Sequence, residues 1–321
     1  MRRLFATFPL AVAMALAATI LFAAPSTISV GALKGPSGIG MVRLFANIAP
    51  APDGAVFKLV PVASADLMTA KLISGEYDAG VLPVNVAAKL YESGVGIALA
   101  AIVGDGMVSF LTSDPSVRSL ADLKGKRVFV AGQGATPDFL FRRLLKGAGL
   151  DPATDLTLDY SLAYPEAALA LAAGKILYAV LPEPFATMAS LASPSLASPF
   201  DIGALWKIQT GQPDYPMTAF VVSRKLASQR PAAVAQLLKD YEDSVAWVKA
   251  SPAEAGALVE KEDLGLKADM AAKAIPKSAY VFVRSREARP SVEALLRVFL
   301  ELSPASVGGA LPDDGFYASF E

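Results

Sequence analysis

Short β-branched, apolar runs alternate with segments of helical apolar spacing past the N-terminus, and this alternation constrains the fold more than any other feature. TISVGAL (27–33), VFKLVPVA (56–63) and DAGVLPV (78–84) read as strands, while 35–48, 65–75 and 85–94 read as helices. A chain that switches between these two periods in this order predicts an α/β fold with a mostly parallel sheet covered by helices. IALAAIVG and MVSFLTSD then run through 97–114 as two extended segments. The same grammar restarts at Leu120, with strands at 127–132, 155–161 and 178–184 and helices at Thr136–Lys146 and 164–174. PMTAFVVS (216–223) is extended again, and the remainder reads as helical almost to the end, including 231–250 and 290–303. Two α/β units joined by extended segments imply two lobes with a ligand cleft between them. The expected division is 26–110 for the first part of lobe 1, 111–218 for lobe 2, and 219–321 for the return to lobe 1 and the C-terminal helices.

Composition narrows the chemistry. With 321 residues and 54% hydrophobic content, the chain can bury a full core in each lobe. Residues 1–24 begin with Arg2 and Arg3, followed by an uncharged apolar stretch, the pattern of an export signal. The stretch is also long enough to span a bilayer, which leaves an uncleaved anchor open. The absence of cysteine excludes disulfides, a thiol nucleophile and a lipid-modified junction. The absence of histidine removes the residue on which the common triads and zinc sites depend. Losing Arg2 and Arg3 with the signal takes the 29 basic side chains to 27 against 30 acidic ones, a net of −3, and no basic run tracks a phosphate backbone. Nucleic acid is not an expected partner.

In open α/β sheets, ligands bind beyond the carboxyl ends of the strands, where loops lead into helix N-termini. This rule selects Lys34, Gly35, Pro36, Ser37, Ser64 and Asn85 in the first unit, and Gly134, Ala135, Thr136 and Glu183 in the second. Tyr215, next to the extended segment at 216–223, completes the candidate set. Ser37, Ser64, Asn85 and Thr136 are also natural helix caps, and capping alone is the commoner role for any one of them. The run from Gly132 to Pro137 is a poor nucleotide fingerprint, because Pro137 stands where the sixth-position glycine belongs. It is good helix-start chemistry instead, with Thr136 as cap, Pro137 in the first turn and Asp138 at the positive end of the dipole. GPSGIG around Ser37 misses the nucleophile-elbow spacing, and no base is at hand apart from Lys34. Glu183, between Pro182 and Pro184 at the end of an apolar strand, is expected to face the cleft, with a solvated turn as the alternative. LPDDGF (311–316) lacks the alternating oxygen ligands of a calcium loop and reads as a turn.

Several of these stretches resemble the substrate-binding proteins of ABC importers, in the nitrate, sulfonate, taurine and thiamine-pyrimidine-precursor branch. They are ALKGPSGIGM, KLISGEYDAGVLPVNVA, VRSLADLKGKRVFVAGQGATPDFLF, LAAGKILYAVLPEPF and SVGGALPDDGFY. The resemblance implies the type II periplasmic-binding architecture, a monomer in the periplasm that closes on a small-molecule solute and delivers it to an ABC permease. It implies no cofactor, no metal and no enzymatic activity, and it makes Gly132–Thr136 a ligand-touching loop. Glu183 departs from the aromatic or basic residue that sulfonate and nitrate binders often place in the pocket, and so points toward a small polar organic solute. The alternatives are a two-lobed enzyme of pyrimidine-precursor metabolism, whose relatives depend on histidine, and a tethered sensor ectodomain.

Overall fold

The computed structural model of the chain describes residues 26–130 and 132–320; the expected signal or anchor at 1–24 lies outside them. The first unit runs β1 (Thr27–Leu33), α1 (Pro36–Ile39), α2 (Val42–Asn47), β2 (Val56–Val62), α3 (Ala65–Ile73), β3 (Ala79–Pro83), α4 (Val84–Glu92) and β4 (Ile97–Gly104). The expected helix over 35–48 is therefore broken. A Cβ on Gly38 would lie 2.2 Å from the Leu33 carbonyl oxygen, so a short first turn sits directly on the end of β1 before the chain re-aims at Gly40.

The second unit comprises β5 (Val108–Thr112), β6 (Arg127–Val130), α5 (Thr136–Gly147), β7 (Thr157–Asp159), α6 (Tyr164–Ala172), β8 (Tyr178–Pro182), α7 (Phe185–Ala192) and α8 (Ile202–Thr210). The chain then returns through β9 (Thr218–Ser223), α9 (Arg224–Gln229), α10 (Pro231–Ala250), α11 (Pro252–Lys261), α12 (Ala268–Ala274), β10 (Tyr280–Arg284) and α13 (Ser285–Leu302). The strand β10 was not expected from sequence, where this region reads as helical. Its Tyr-Val-Phe-Val run has strand character and pairs antiparallel with β4. Pro290 lies inside α13 and does not open it.

The first sheet has the order β10-β4-β9-β3-β1-β2 and the second β5-β8-β6-β7. The second is mostly parallel, with β7, β6 and β8 side by side, while the first is more mixed than expected. The strands β2, β1 and β3 are parallel, but β9 lies between β3 and β4 and is antiparallel to both, and β5 is antiparallel to β8. The cause is topological: these antiparallel strands carry the chain into and out of the second lobe, and a crossing strand enters each sheet from the end opposite to a βαβ strand. All eight residues of β4 are buried, which explains its unbroken apolar sequence. Tyr241 of α10 packs edge-on to Phe220 of β9 at 5.1 Å. In the second lobe Phe141 of α5 stacks on Phe110 of β5 at 6.2 Å. Phe139, also on α5, meets Phe299 of α13 edge-on at 4.7 Å, so one aromatic contact joins the lobes away from the crossings.

The two crossings are 105–107 and 213–217, and the expected boundaries at 110 and 218 fall inside β5 and on the first residue of β9. The crossings are fastened side by side. Met217 N–H donates to Gly104 O at 2.9 Å, and Val108 N–H donates to Tyr215 Oη at 3.2 Å. Trp206 Nε1 donates to Asp214 O at 3.1 Å, and the Asp214 carboxylate accepts the Tyr215 N–H at 2.7 Å. The same carboxylate lies so close to Gly106 that a Cβ there would be 2.2 Å from Oδ1. Gly106→Ala is expected to cost about 1–3 kcal/mol through this overlap, read as a lower denaturation midpoint.

Burial, with the Asp214 carboxylate as a smaller cause, pushes Asp105 up to about 7 from an ordinary 3.8. The folded chain therefore keeps a proton that the unfolded chain releases between these values. This contribution to stability is complete below about pH 4 and is lost as pH rises through 7. Asp105→Asn, with no proton to lose, should flatten the stability profile across that window in urea titrations at several pH values, and raise stability relative to wild type at pH 8.

Candidate ligand cleft

A cavity of about 460 Å³ opens between the lobes where the carboxyl ends of their strands face each other. From the first lobe it is lined by Lys34–Ser37 after β1 and by Pro83, Asn85 and Val86 at the β3–α4 junction. The second lobe adds Gly134–Pro137 before and within α5, Tyr164 at the start of α6, and Pro182, Glu183 and Phe185 between β8 and α7. Met107, Met217 and Thr218 close it at the crossings. A cavity of about 650 Å³ lies beside the same crossings, lined by 198–204 and 213–215 among others. The smaller cavity is the candidate site because the strand-to-helix loops of both lobes converge on it.

Of the sequence-selected residues, Lys34, Gly35, Pro36, Ser37, Asn85, Gly134, Ala135, Thr136 and Glu183 all line this cleft. Ser64 and Tyr215 do not. Ser64 caps α3, accepting the Leu67 N–H at 3.2 Å, and follows β2, the edge strand of its sheet. Tyr215 is 1% exposed and spends its hydroxyl on Val108 while packing edge-on to Trp206 at 6.1 Å. It is part of the fastening between the crossings. Sequence reasoning missed Tyr164, Phe185, Met107, Met217 and Thr218. Tyr164 follows β7 at a helix start, so the rule that found the other loops would have found it too.

The β6–α5 loop departs from the expected capping. Thr136 is the first residue of α5, buried, and forms no cap bond through its side chain. Asp138 does that work from inside the helix, accepting the Gly134 N–H at 2.9 Å. At 1% exposure its carboxylate also pairs with Arg142 Nε at 2.7 Å and accepts the Tyr160 hydroxyl at 2.8 Å. Burial first, and this hydrogen bond second, push Tyr160 up to about 12. Gly132 and Gly134 have φ of 78° and 76°, and a Cβ on Gly132 would lie 2.4 Å from Tyr164 Oη. The glycines thus let the loop turn sharply beneath a tyrosine whose ring stacks on Phe185 at 5.5 Å.

Among the described residues, two charged groups line the cleft. Glu183 is 4% exposed, and its Oε2 accepts the Thr187 N–H at 3.1 Å within α7. Burial pushes its carboxyl up; Thr187, whose N–H it accepts, and the more distant Lys277 ammonium oppose this. Lys34 directs its ammonium to the Asp263 carboxylate. On the first-lobe wall, Thr218 Oγ1 lies 3.4 Å from Ser37 Oγ. Pro36, Pro83, Val86, Met107, Pro137, Tyr164, Phe185 and Met217 make most of the remaining wall apolar or aromatic.

A two-lobed α/β molecule with its cavity at facing strand ends, fastened at two crossings, has the fold of the periplasmic binding proteins. Residues 45–261 match the sequence profile of the NMT1-like family, and the chain belongs to that family. No curated protein sequence matches it significantly. Among solved structures, an ABC transporter from Parabacteroides distasonis is 29% identical, with a TM-score of 0.78 over 92% of this chain and 99% of that one. The periplasmic aliphatic sulphonate binding protein of Escherichia coli is 20% identical, with a TM-score of 0.68 over 89% and 91% of the two chains. The periplasmic nitrate-binding protein of Synechocystis PCC 6803 is 14% identical, with a TM-score of 0.53 over 77% and 69%.

The Asp138 network supports the loop that floors the cleft. Arg142→Ala would leave a carboxylate of 1% exposure without its cation, and is expected to cost about 3 kcal/mol in urea unfolding. Arg142→Lys, which keeps the charge, should recover part of that loss.

Proposed function

We propose that the chain, exported to the periplasm, captures a small polar organic solute bearing a donor nitrogen, closes its lobes over it and delivers it to an ABC permease. The observation that carries the solute class is Glu183. It is the acidic side chain among those lining the cleft, and only Oε2 is committed to a protein donor among the described residues. A carboxylate so placed repels an oxyanion and suits an amine or an amino-heterocycle edge. The aromatic pair Tyr164 and Phe185 gives such a ring an apolar wall. Lys34, the cation lining the cleft, is already paired with Asp263, which weakens the case for a nitrate-like or sulfonate-like ligand. The sulphonate and nitrate binders share the architecture, and the difference proposed is in the charge of the cleft. Short crossings fit rigid-body closure, because few residues need absorb the change.

Calorimetry with a 4-aminopyrimidine probe tests this reading. Wild type should bind the probe, and Glu183→Gln should weaken binding by about 1.5–3 kcal/mol through loss of a charge-assisted hydrogen bond. Unchanged or tighter binding by Glu183→Gln, or a wild type that takes only anions, overturns it.

A further inference from the structure

The loop that follows α11 touches the ligand loop after β1 at several points. Gly35 N–H donates to Leu264 O at 2.8 Å, Gly265 lies with its Cβ position 3.5 Å from Gly35 N and from Lys34 Cβ, and the Asp263 carboxylate meets the Lys34 ammonium. Leu264 is fully buried, so the loop is anchored in the core. Asp263 has φ 52°, the one positive φ outside glycine among the described residues. A left-handed aspartate is tolerated where its short polar side chain is useful, and here the conformation presents the carboxylate beside the cleft. Asp263 itself does not line the cavity, and its side chain is 80% exposed; Lys34 lines the cavity, with its side chain 30% exposed.

We infer that Asp263 determines charge selectivity: it holds the cleft-lining cation, Lys34, at the rim, so that an anionic solute must compete with a tethered carboxylate for it. This rests on the reading of the cleft as a solute site. The two carboxylates then act together, Glu183 by facing the solute and Asp263 by occupying the lysine. An exposed ion pair is weak and salt-sensitive, so the discrimination is graded. A lysine withheld by such a pair also remains free to release when a sufficiently well-seated anion arrives.

Asp263→Asn is the discriminating variant, because asparagine adopts the left-handed conformation as readily and keeps the Leu264 contact while losing the charge. Binding of butanesulfonate, an anion with an apolar tail, should tighten about two- to fivefold at low salt, the gain shrinking as potassium chloride is added. Affinity for 4-aminopyrimidine should not change. The gain should vanish in the double variant Asp263→Asn with Lys34→Gln. In the free protein, reductive methylation of Lys34, followed by mass spectrometry, should proceed faster in Asp263→Asn than in wild type. Unchanged sulfonate affinity, or unchanged Lys34 labelling, overturns the inference. If neither probe binds any variant, the solute reading of the cleft fails while the labelling rates still decide whether Asp263 holds the lysine.

Discussion

The cleft exists because two short crossings are fastened to each other. Val108 is bonded to Tyr215, Met217 to Gly104, and the Asp214 carboxylate presses against Gly106. Each bond joins the outgoing chain to the returning one, so β5 and β9 enter their sheets at fixed positions and the strand ends of both lobes face one another. Gly106 is required by close approach, since no side chain fits beside Asp214. The arrangement also concentrates Asp105 and Asp214 in one partly dry region, and burial there raises both carboxyls. Holding the crossings together at this point therefore has an electrostatic cost, which the hydrogen bonds to Tyr215 and Trp206 offset in part.

Away from the crossings, the walls of the cleft are held by polar contacts made outside the cavity. Asp138 is the clearest case. It looks like an ordinary first-turn acid, but it fixes Gly134, Arg142 and Tyr160 together beneath the ligand loop. Glu183 serves two purposes in the same way, tying the start of α7 through Thr187 while lining the cavity. On the opposite lobe, the loop after α11 fixes Gly35 through Leu264 and occupies Lys34 through Asp263. Each of these three loops that touch the cavity is thus held by a partner that does not line it: Asp138, Thr187 and the loop after α11.

The architecture was largely legible in the sequence because strand and helix periods are local properties. Residues 231–250 match α10 end to end, and the strand-end rule found most of the cleft's loops. Ser64 lies outside this cavity: the lateral order of strands is invisible along the chain, and β2 is an edge. Tyr215 lies outside this cavity as well: an aromatic residue near a crossing gives no local sign of whether it faces the cleft or the partner crossing. The strand β10 was missed because five residues between helices give too little periodicity to separate from them.

The sequence by itself determined two α/β units, a chain without thiol or imidazole chemistry, and the loops from which a ligand site would be built. These follow from residue types and their spacing, which act locally. The tertiary structure decided the antiparallel insertion of β9, the pairing of Lys34 with Asp263 across 229 positions, and the role of Asp138 beneath the cleft. Those depend on which distant segments the fold brings within a few ångströms, and the charge balance of the cleft is set by such meetings and not by any single stretch of chain.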